Sequence, residues 1–423
     1  MAGILTAHHI AALPTVALLC VMGGMSIVIG LLLILKRKVM MPLLLFVVAT
    51  GGALDRMSDP LYDQHNWQLV DKPKVHMLVR LTDTPSPHEK SYRTTAEVIS
   101  VDHSAKHGTI RLYLKNEPFA ATLHYGDSLL LHGYPDTERS SIYVTSAHYI
   151  VVGRDSTSLR AQSERLRMRL LHRMQKGPLS AERAGIAEAM TLGWRADIAP
   201  ETQASYRDAG IAHLLAVSGL HVGLLAALVS IALFWINKER RGRIAKGAIQ
   251  LAAIWIFALI TGMAPSTMRA ALMFSLFIVS RMLGRRTSSL NLLAACALLT
   301  LVAHPMLLFN VGWQLSYAAV TGILLARPVI FLFRNKLWQW VIVSIAATVA
   351  TLPITITAFH RFPIYFLIAN VTIIPFAGIL LALSLCYMAL PCPFFAVPLD
   401  YMLMATEAVT GWVSTLPGAV IEF

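Results

Sequence analysis

The sequence predicts a polytopic α-helical membrane protein of about ten transmembrane helices, with a small extracytoplasmic β-barrel inserted near its N-terminal end. Three observations carry that expectation. Of 423 residues, 56% are hydrophobic and only 14% charged, with a mean hydropathy of +0.60, whereas a soluble chain of this length carries roughly a quarter charged residues. Ten apolar stretches are long enough, or nearly so, to cross a bilayer. Among them, residues 55–210 form a polar segment of short alternating runs and turn residues.

The first apolar run, Ile10 to Leu35, exceeds a signal-peptide core and has no small-residue cleavage pattern after it, so it reads as an anchor. Candidate spans fall at 13–35, 39–54, 211–236, 247–263, 266–283, 289–303, 311–333, 337–357, 363–390 and 395–416. Basic clusters occupy every second loop: Lys36, Arg37 and Lys38; Lys238, Arg240, Arg241, Arg243 and Lys246; Arg281, Arg285 and Arg286; Arg327, Arg334 and Lys336. Positive charge marks the cytoplasmic side. The segment 55–210, the turn from Met263 to Thr267 and the C-terminus then lie outside, in a multi-pass membrane protein. From Asp55 to Gly210 the charge nearly cancels at +1, and the apolar remainder carries +12. Such a bias suits an anionic cargo or anionic lipid partners. The four cysteines, Cys20, Cys296, Cys386 and Cys392, lie in apolar runs and suggest neither a disulfide framework nor a metal site. No cofactor is implied.

The chain divides by composition into two N-terminal transmembrane helices (1–55), an outer β domain (56–155), a basic amphipathic connecting segment (156–210) and a second membrane domain (211–423). In the outer domain short strands are expected at 75–81, 93–101, 109–115, 128–133 and 142–152, separated by turn residues such as those of Tyr125-Gly126-Asp127. Five strands in so short a stretch fit an OB-like barrel. In the third, Arg111, Tyr113 and Lys115 alternate with Leu112 and Leu114, which puts two cations and an aromatic on one face. That surface suits single-stranded nucleic acid, and an ordinary solvated strand face has the same pattern. Residues 159–176 interleave Arg160, Arg165, Arg167, Arg169, Arg173 and Lys176 with leucine and methionine, a basic helix for the membrane surface or for guiding a polyanion.

The candidate functional residues cluster at the outer entry of the third span, in Ala209-Gly-Ile-Ala-His-Leu-Leu-Ala-Val-Ser-Gly-Leu-His-Val-Gly223. Were the stretch helical, His213, Ser218 and His221 would form one polar stripe beside a GxxxG surface made by Gly219 and Gly223. Polar residues inside a span line a bundle interior or a water-filled path, or they bond helix to helix. In Thr261-Gly-Met-Ala-Pro-Ser-Thr-Met-Arg-Ala270, Pro265 suits a first helical turn that Ser266 or Thr267 can cap. Arg269 in that turn opposes the helix dipole and calls for an anion: a passing phosphate, a lipid headgroup or a hidden carboxylate. Gln314, beside Ser316 and Tyr317, and Asn370 are further polar candidates. Pro375 is expected to break or kink the apolar run that follows Asn370.

No nucleotide-binding loop and no metal-ligand pattern appears. Ser218 and His221 invite a membrane-embedded serine hydrolase, but Glu239, Asp400, Glu407 and Glu422 offer no third member. No catalytic or metal residue is therefore assigned, and the chain is not read as an enzyme. Transport of a small anionic solute is the nearer alternative.

Four runs, GWRADIAPETQASYRDAGIAHLLAVSGLHVGL (193–224), TGMAPSTMRAALM (261–273), HPMLLFNVGWQLSYAA (304–319) and ATLPITITAFHRFPIYFLIANVTIIP (350–375), resemble the successive signatures of the ComEC family of competence channels. The likeness is strong over roughly 190–390 and weaker over the outer domain. It implies an inner-membrane channel that passes single-stranded DNA into the cytoplasm during natural transformation. It places Ser218, Gly219, His221 and Gly223 in the signature helix, and Arg269, Gln314 and Asn370 in the later motifs. The partners it implies are a periplasmic DNA receptor, a cytoplasmic DNA motor or strand-binding proteins, and membrane lipids. Many members continue into a metallo-β-lactamase-like domain. This sequence ends at Phe423 without one, so the resemblance leaves the discarded strand to a separate nuclease. The abrupt start at Ala2-Gly-Ile-Leu5 and the run Ser140-Ser-Ile-Tyr-Val-Thr145, in place of the family's usual link, are further departures. A shortened gene product or a misplaced start would account for the ends.

Overall fold

The computed structural model describes residues 66–69, 74–88, 91–137, 140–145, 148–155, 157–236, 239–285 and 287–423. The two expected N-terminal spans, the basic cluster at Lys36, Arg37 and Lys38, and the start of the outer domain lie outside them, as do Lys238 and Arg286. Two compact units emerge: 66–85 with 89–154 and 297–314, and 86–88 with 155–296 and 315–423.

The first unit is built on a curled sheet. Its strands are β1 (Val75–Leu81), β3 (Ser91–Val101), β5 (Thr109–Lys115), β6 (Ser128–Gly133), β8 (Ser141–Val144) and β9 (Tyr149–Gly153), with the two-residue strands β4 (Ser104–Ala105) and β7 (Pro135–Asp136); β2 (Ser86–Pro87) is equally short. The order is β7-β8-β5-β3-β1-β6-β9, antiparallel throughout except for β5 and β8, which run parallel. Strict alternation in the sequence becomes a buried inner face: Val75, Met77, Val79 and Leu81 of β1 meet Ile110, Leu112 and Leu114 of β5 and Leu129 and Leu131 of β6 in one core. Each of these side chains contributes roughly 1.5–3 kcal/mol on burial. Trp67 plugs one end and donates from Nε1 to the Thr109 carbonyl at 3.2 Å.

The run 142–152 is not one strand. β8 pairs with β5 at one end of the sheet and β9 with β6 at the other. A single straight strand cannot reach both edges, and Thr145 Oγ1 with His148 Nδ1, 2.6 Å apart, marks the turn between them.

The second unit is helical: α1 (Leu159–Gln175), α2 (Ala181–Leu192), α3 (Pro200–Asp208), α4 (Gly219–Ala232), α5 (Arg240–Ile260), α6 (Pro265–Met282), α7 (Ser289–Ala303), α8 (Val311–Leu332), α9 (Lys336–Phe359), α10 (Phe366–Ala389) and α11 (Pro393–Ser414), of which α7 and α8 run partly through the first unit. Four of them, α5, α8, α9 and α10, are long and apolar enough to cross a membrane, and α4 and α7 are shorter apolar helices. The eight helices from α4 onward follow the eight spans expected over 211–416, yet fewer have full spanning length and hydropathy. Charge explains part of the shortfall. α11 carries Asp400 and Glu407, which bind Arg183 of α2 at 2.7 and 3.1 Å.

Two expectations of helix geometry change. The third span does not begin at 211: the chain first makes a 3-10 turn at Ala212–Leu215, then runs extended to Ser218. Pro375 does not break its helix, for α10 continues through it from Phe366 to Ala389. Packing holds that helix across the lost hydrogen bond, with Ala369, Ile373, Ala377 and Leu380 all buried in the main core of the unit.

Candidate functional site

The signature run folds as a capped helix start. Gly210, at a φ of 78°, makes the turn out of α3, and a side chain there would meet Phe366 Cβ at 2.7 Å. Ser218 is the N-cap of α4, with His221 at the third helical position. The Ser218 backbone N–H donates to His221 Nδ1 at 3.3 Å, and Ser218 Oγ lies 3.1 Å from the same atom. His221 thus takes the place that a glutamate or glutamine fills in an ordinary capping box. With Nδ1 accepting, the ring proton sits on Nε2, a buried donor with no hydrogen-bond partner among the described residues. His213 lies on the preceding 3-10 turn with an exposed side chain, and its charge acts on His221. His213, Ser218 and His221 do not share one helix, because the chain is extended at Ala216 and Ser218.

Gly219 faces Ala270 of α6, and a Cβ on Gly223 would sit 2.7 Å from Phe274 Cζ, so α4 and α6 approach where side chains are missing. Pro265 opens α6 at its first turn. Neither expected cap is used: Ser266 Oγ donates to the Val217 carbonyl at 2.8 Å, fastening the start of α6 to the extended segment before α4. Thr267 is fully buried, and Arg269 is buried on the same first turns, electrostatically coupled to Tyr317 and Cys296. The Tyr317 hydroxyl reaches the Cys296 sulfur at 3.2 Å.

The remaining candidates sit elsewhere. Asn370 Nδ2 donates to Ser344 Oγ at 2.9 Å, joining α10 to α9 with both residues buried. Gln314 Nε2 donates to the Leu308 carbonyl at 2.8 Å, bracing the start of α8 on the 3-10 turn before it. Both bonds are structural in form. Asn370 Oδ1 is left buried without a partner among the described residues.

On the β unit, Arg111, Tyr113 and Lys115 share the outward face of β5. The register adds two residues that sequence reading missed. Arg93 of β3 pairs with Tyr113 and lays its guanidinium 5.2 Å from the ring, and Tyr143 of β8 stands opposite Tyr113 on the other side, 57% exposed. The alternation Arg93, Thr95, Glu97 was visible as a pattern, but its register with β5 was not. Lys115 is partly engaged by Glu117 at 3.6 Å.

A further feature lies outside the expected spans. Glu188 of α2 is fully buried, and burial together with the neighbouring Asp197 pushes its carboxyl up to about 8. Asp197 accepts from Gln175 Nε2 and Trp194 Nε1, each at 2.9 Å. Two acids, a glutamine and a tryptophan spread over twenty-odd residues carry no recognisable spacing. Among the described residues no group of three or more metal-binding side chains is assembled.

Helices of this length and hydropathy, in a chain that also folds a β unit, are those of a membrane protein with a β domain. The comparisons then place it: the family model for competence protein matches residues 190–423, over half of the sequence, and the chain belongs to that family. It is 34% identical over 199 residues to ComE operon protein 3 of Bacillus subtilis (strain 168), covering 47% of this chain and 25% of the relative. It is 27% identical over 211 residues to competence protein ComA of Neisseria gonorrhoeae, covering 48% and 30%. An uncharacterized protein, YcaI of Escherichia coli (strain K12), is 25% identical over 209 residues, covering 44% and 26%. The matched regions thus span less than a third of these relatives' length. No solved structure matches the chain.

Proposed function

We propose that the chain serves DNA uptake in natural competence as an inner-membrane path for single-stranded DNA, with its β domain holding the strand at the outer mouth. Family membership supports the setting. The observation that carries the assignment of a strand-holding role is the face of Arg93, Arg111, Tyr113 and Tyr143, in which a cation stacks on one aromatic ring and a second ring stands beside it. Cation and ring alternate as a sugar-phosphate backbone and its bases require. The strand order, with β5 and β8 parallel and β1 against β6, supports the OB-like reading of that domain. In the helical unit, Arg269 at the start of α6 would offer a guanidinium to a passing phosphate, and the net charge of +12 outside 55–210 lowers the cost of moving anions through hydrocarbon. Direction and energy come from partner proteins. The orientation follows the basic loops, with the β domain and the C-terminus outside.

The Ser218 and His221 pair favours no hydrolase, since the pair is accounted for as a helix cap. A carrier for a small anion would take up a metabolite and leave transformation untouched. The test is uptake of fluorescent DNA by cells with and without the gene, complemented by the full chain or by its Tyr113→Ala/Tyr143→Ala form. Equal uptake in the presence and absence of the gene would refute the proposal.

A further inference from the structure

We propose that α1 and the outer end of α5 form a binding groove for one anionic phospholipid, of the phosphatidylglycerol type. The inference rests on the membrane placement of α5 and not on the passage of DNA. A cavity of about 540 Å³ lies between the two helices, lined on the α1 side by Leu159, Arg165, Leu166 and Arg169 and on the α5 side by Ile256 and Leu259. α5 is one of the four helices long and apolar enough to cross a membrane. Its first turns carry Arg240, Arg241 and Arg243, so the groove sits at the opposite end, at the level of the outer headgroups.

The cations of α1 divide by role. Arg167 turns inward, pairs with Glu164 at 3.1 Å and lies 5.5 Å from the Trp194 ring. Arg165 and Arg169 are exposed one turn apart on one face. Arg165 is steadied by a bond from its guanidinium to the Asp155 carbonyl at 3.2 Å. Arg169 makes no hydrogen bond or ion pair among the described residues. Two guanidiniums a helical turn apart can share the oxygens of one phosphodiester. Leu159, Leu166 and Ile256, exposed to 76%, 42% and 56%, line the same groove with aliphatic surface. In water that wall is costly; against the first methylenes of an acyl chain it is satisfied.

A nucleic-acid strand fits less well. Its bases need aromatic platforms, and this groove is lined by leucine and isoleucine with Gln162, Ser163 and the two arginines, without an aromatic ring. The occupant is therefore amphiphilic, with a phosphate at one end and hydrocarbon at the other.

The test uses the purified full chain in neutral detergent, titrated with dioleoyl phosphatidylglycerol or dioleoyl phosphatidylcholine and read by native mass spectrometry. A photoreactive phosphatidylglycerol maps the contact. Retention of phosphatidylglycerol over phosphatidylcholine is expected, with crosslinks on α1 and the last two turns of α5. Arg165→Gln/Arg169→Gln should weaken retention roughly thirtyfold, as expected for two cations lost from an anionic headgroup, and the Lys/Lys form should recover part of it. Matching melting temperatures in lipid-free detergent separate lost binding from lost fold. Equal retention of the two lipids, or retention unchanged in the Gln/Gln form, would overturn the site. Displacement of the lipid by inorganic phosphate alone, or more readily by oligo-dT than by lysophosphatidylglycerol, would overturn the lipid assignment.

Discussion

Replacing Glu188 by Gln should flatten the pH dependence of folding stability above neutrality. The side chain is fully buried on α2, and its carboxyl is raised from 4.5 to about 8, first by burial and then by Asp197. The sign follows from proton counting. Below pH 4.5 both folded and unfolded chains hold the proton. Between 4.5 and 8 the folded chain keeps a proton that the unfolded chain has lost, so stability falls with rising pH until it levels above 8. A gap of about 3.5 pH units corresponds to about 5 kcal/mol over the whole range, and about 2 kcal/mol of it falls between pH 6.5 and 9. Glutamine keeps the shape and a donor while removing the titration. Melting temperatures of the full chain in detergent, taken from pH 6.5 to 9, should fall more steeply for the native sequence than for Glu188→Gln. Parallel curves would refute the assignment of a protonated Glu188.

Gly223→Ala places a Cβ against Phe274 and should cost about 1–3 kcal/mol by overpacking, and Phe274→Leu in the same chain should restore part of it in a thermal melt. Ser218→Ala loses the cap and about 1 kcal/mol, while transformation at matched expression stays within a few-fold of native; loss by several orders of magnitude would revive the hydrolase. Arg269→Gln should lower DNA uptake much more than Arg269→Lys, since a phosphate needs the charge; equal uptake by both would remove Arg269 from the path. Reporters after Asp155 and at Phe423 should read outside and one near Arg241 cytoplasmic, and a cytoplasmic signal at Asp155 would overturn the orientation.

The parts of the fold that were legible in sequence are those set by one-dimensional period. Alternation fixed which faces of β1 and β5 are buried, and apolar length located the helices from α4 to α11. The rest depends on register or on distant partners. Tyr143 comes opposite Tyr113 through the register in which β8 pairs with β5, a pairing that no local pattern announces. Asp400 and Glu407, which offer no third member to Ser218 and His221, are engaged by Arg183 more than two hundred residues away. The break between β8 and β9 was hidden because both halves are equally strand-like.

The signature helix shows how a chemical pattern and a mechanical one can share residues. A serine three positions before a histidine suggests a nucleophile and its base, but three positions is also the spacing of a helix cap. Here the Ser218 amide donates to Nδ1 at 3.3 Å and the hydroxyl lies 3.1 Å from the same atom, the contacts of a helix cap. That arrangement leaves Nε2 as the only ring atom with a free proton, buried under the start of α4. Ser266, expected as a cap, instead holds the Val217 carbonyl, and the missing side chains at Gly219 and Gly223 admit α6 alongside. These constraints all act within the first two turns after the point where the chain changes from extended to helical. The run from Val217 to Gly223 thus fastens the start of α4 to α6, the helix that carries Arg269.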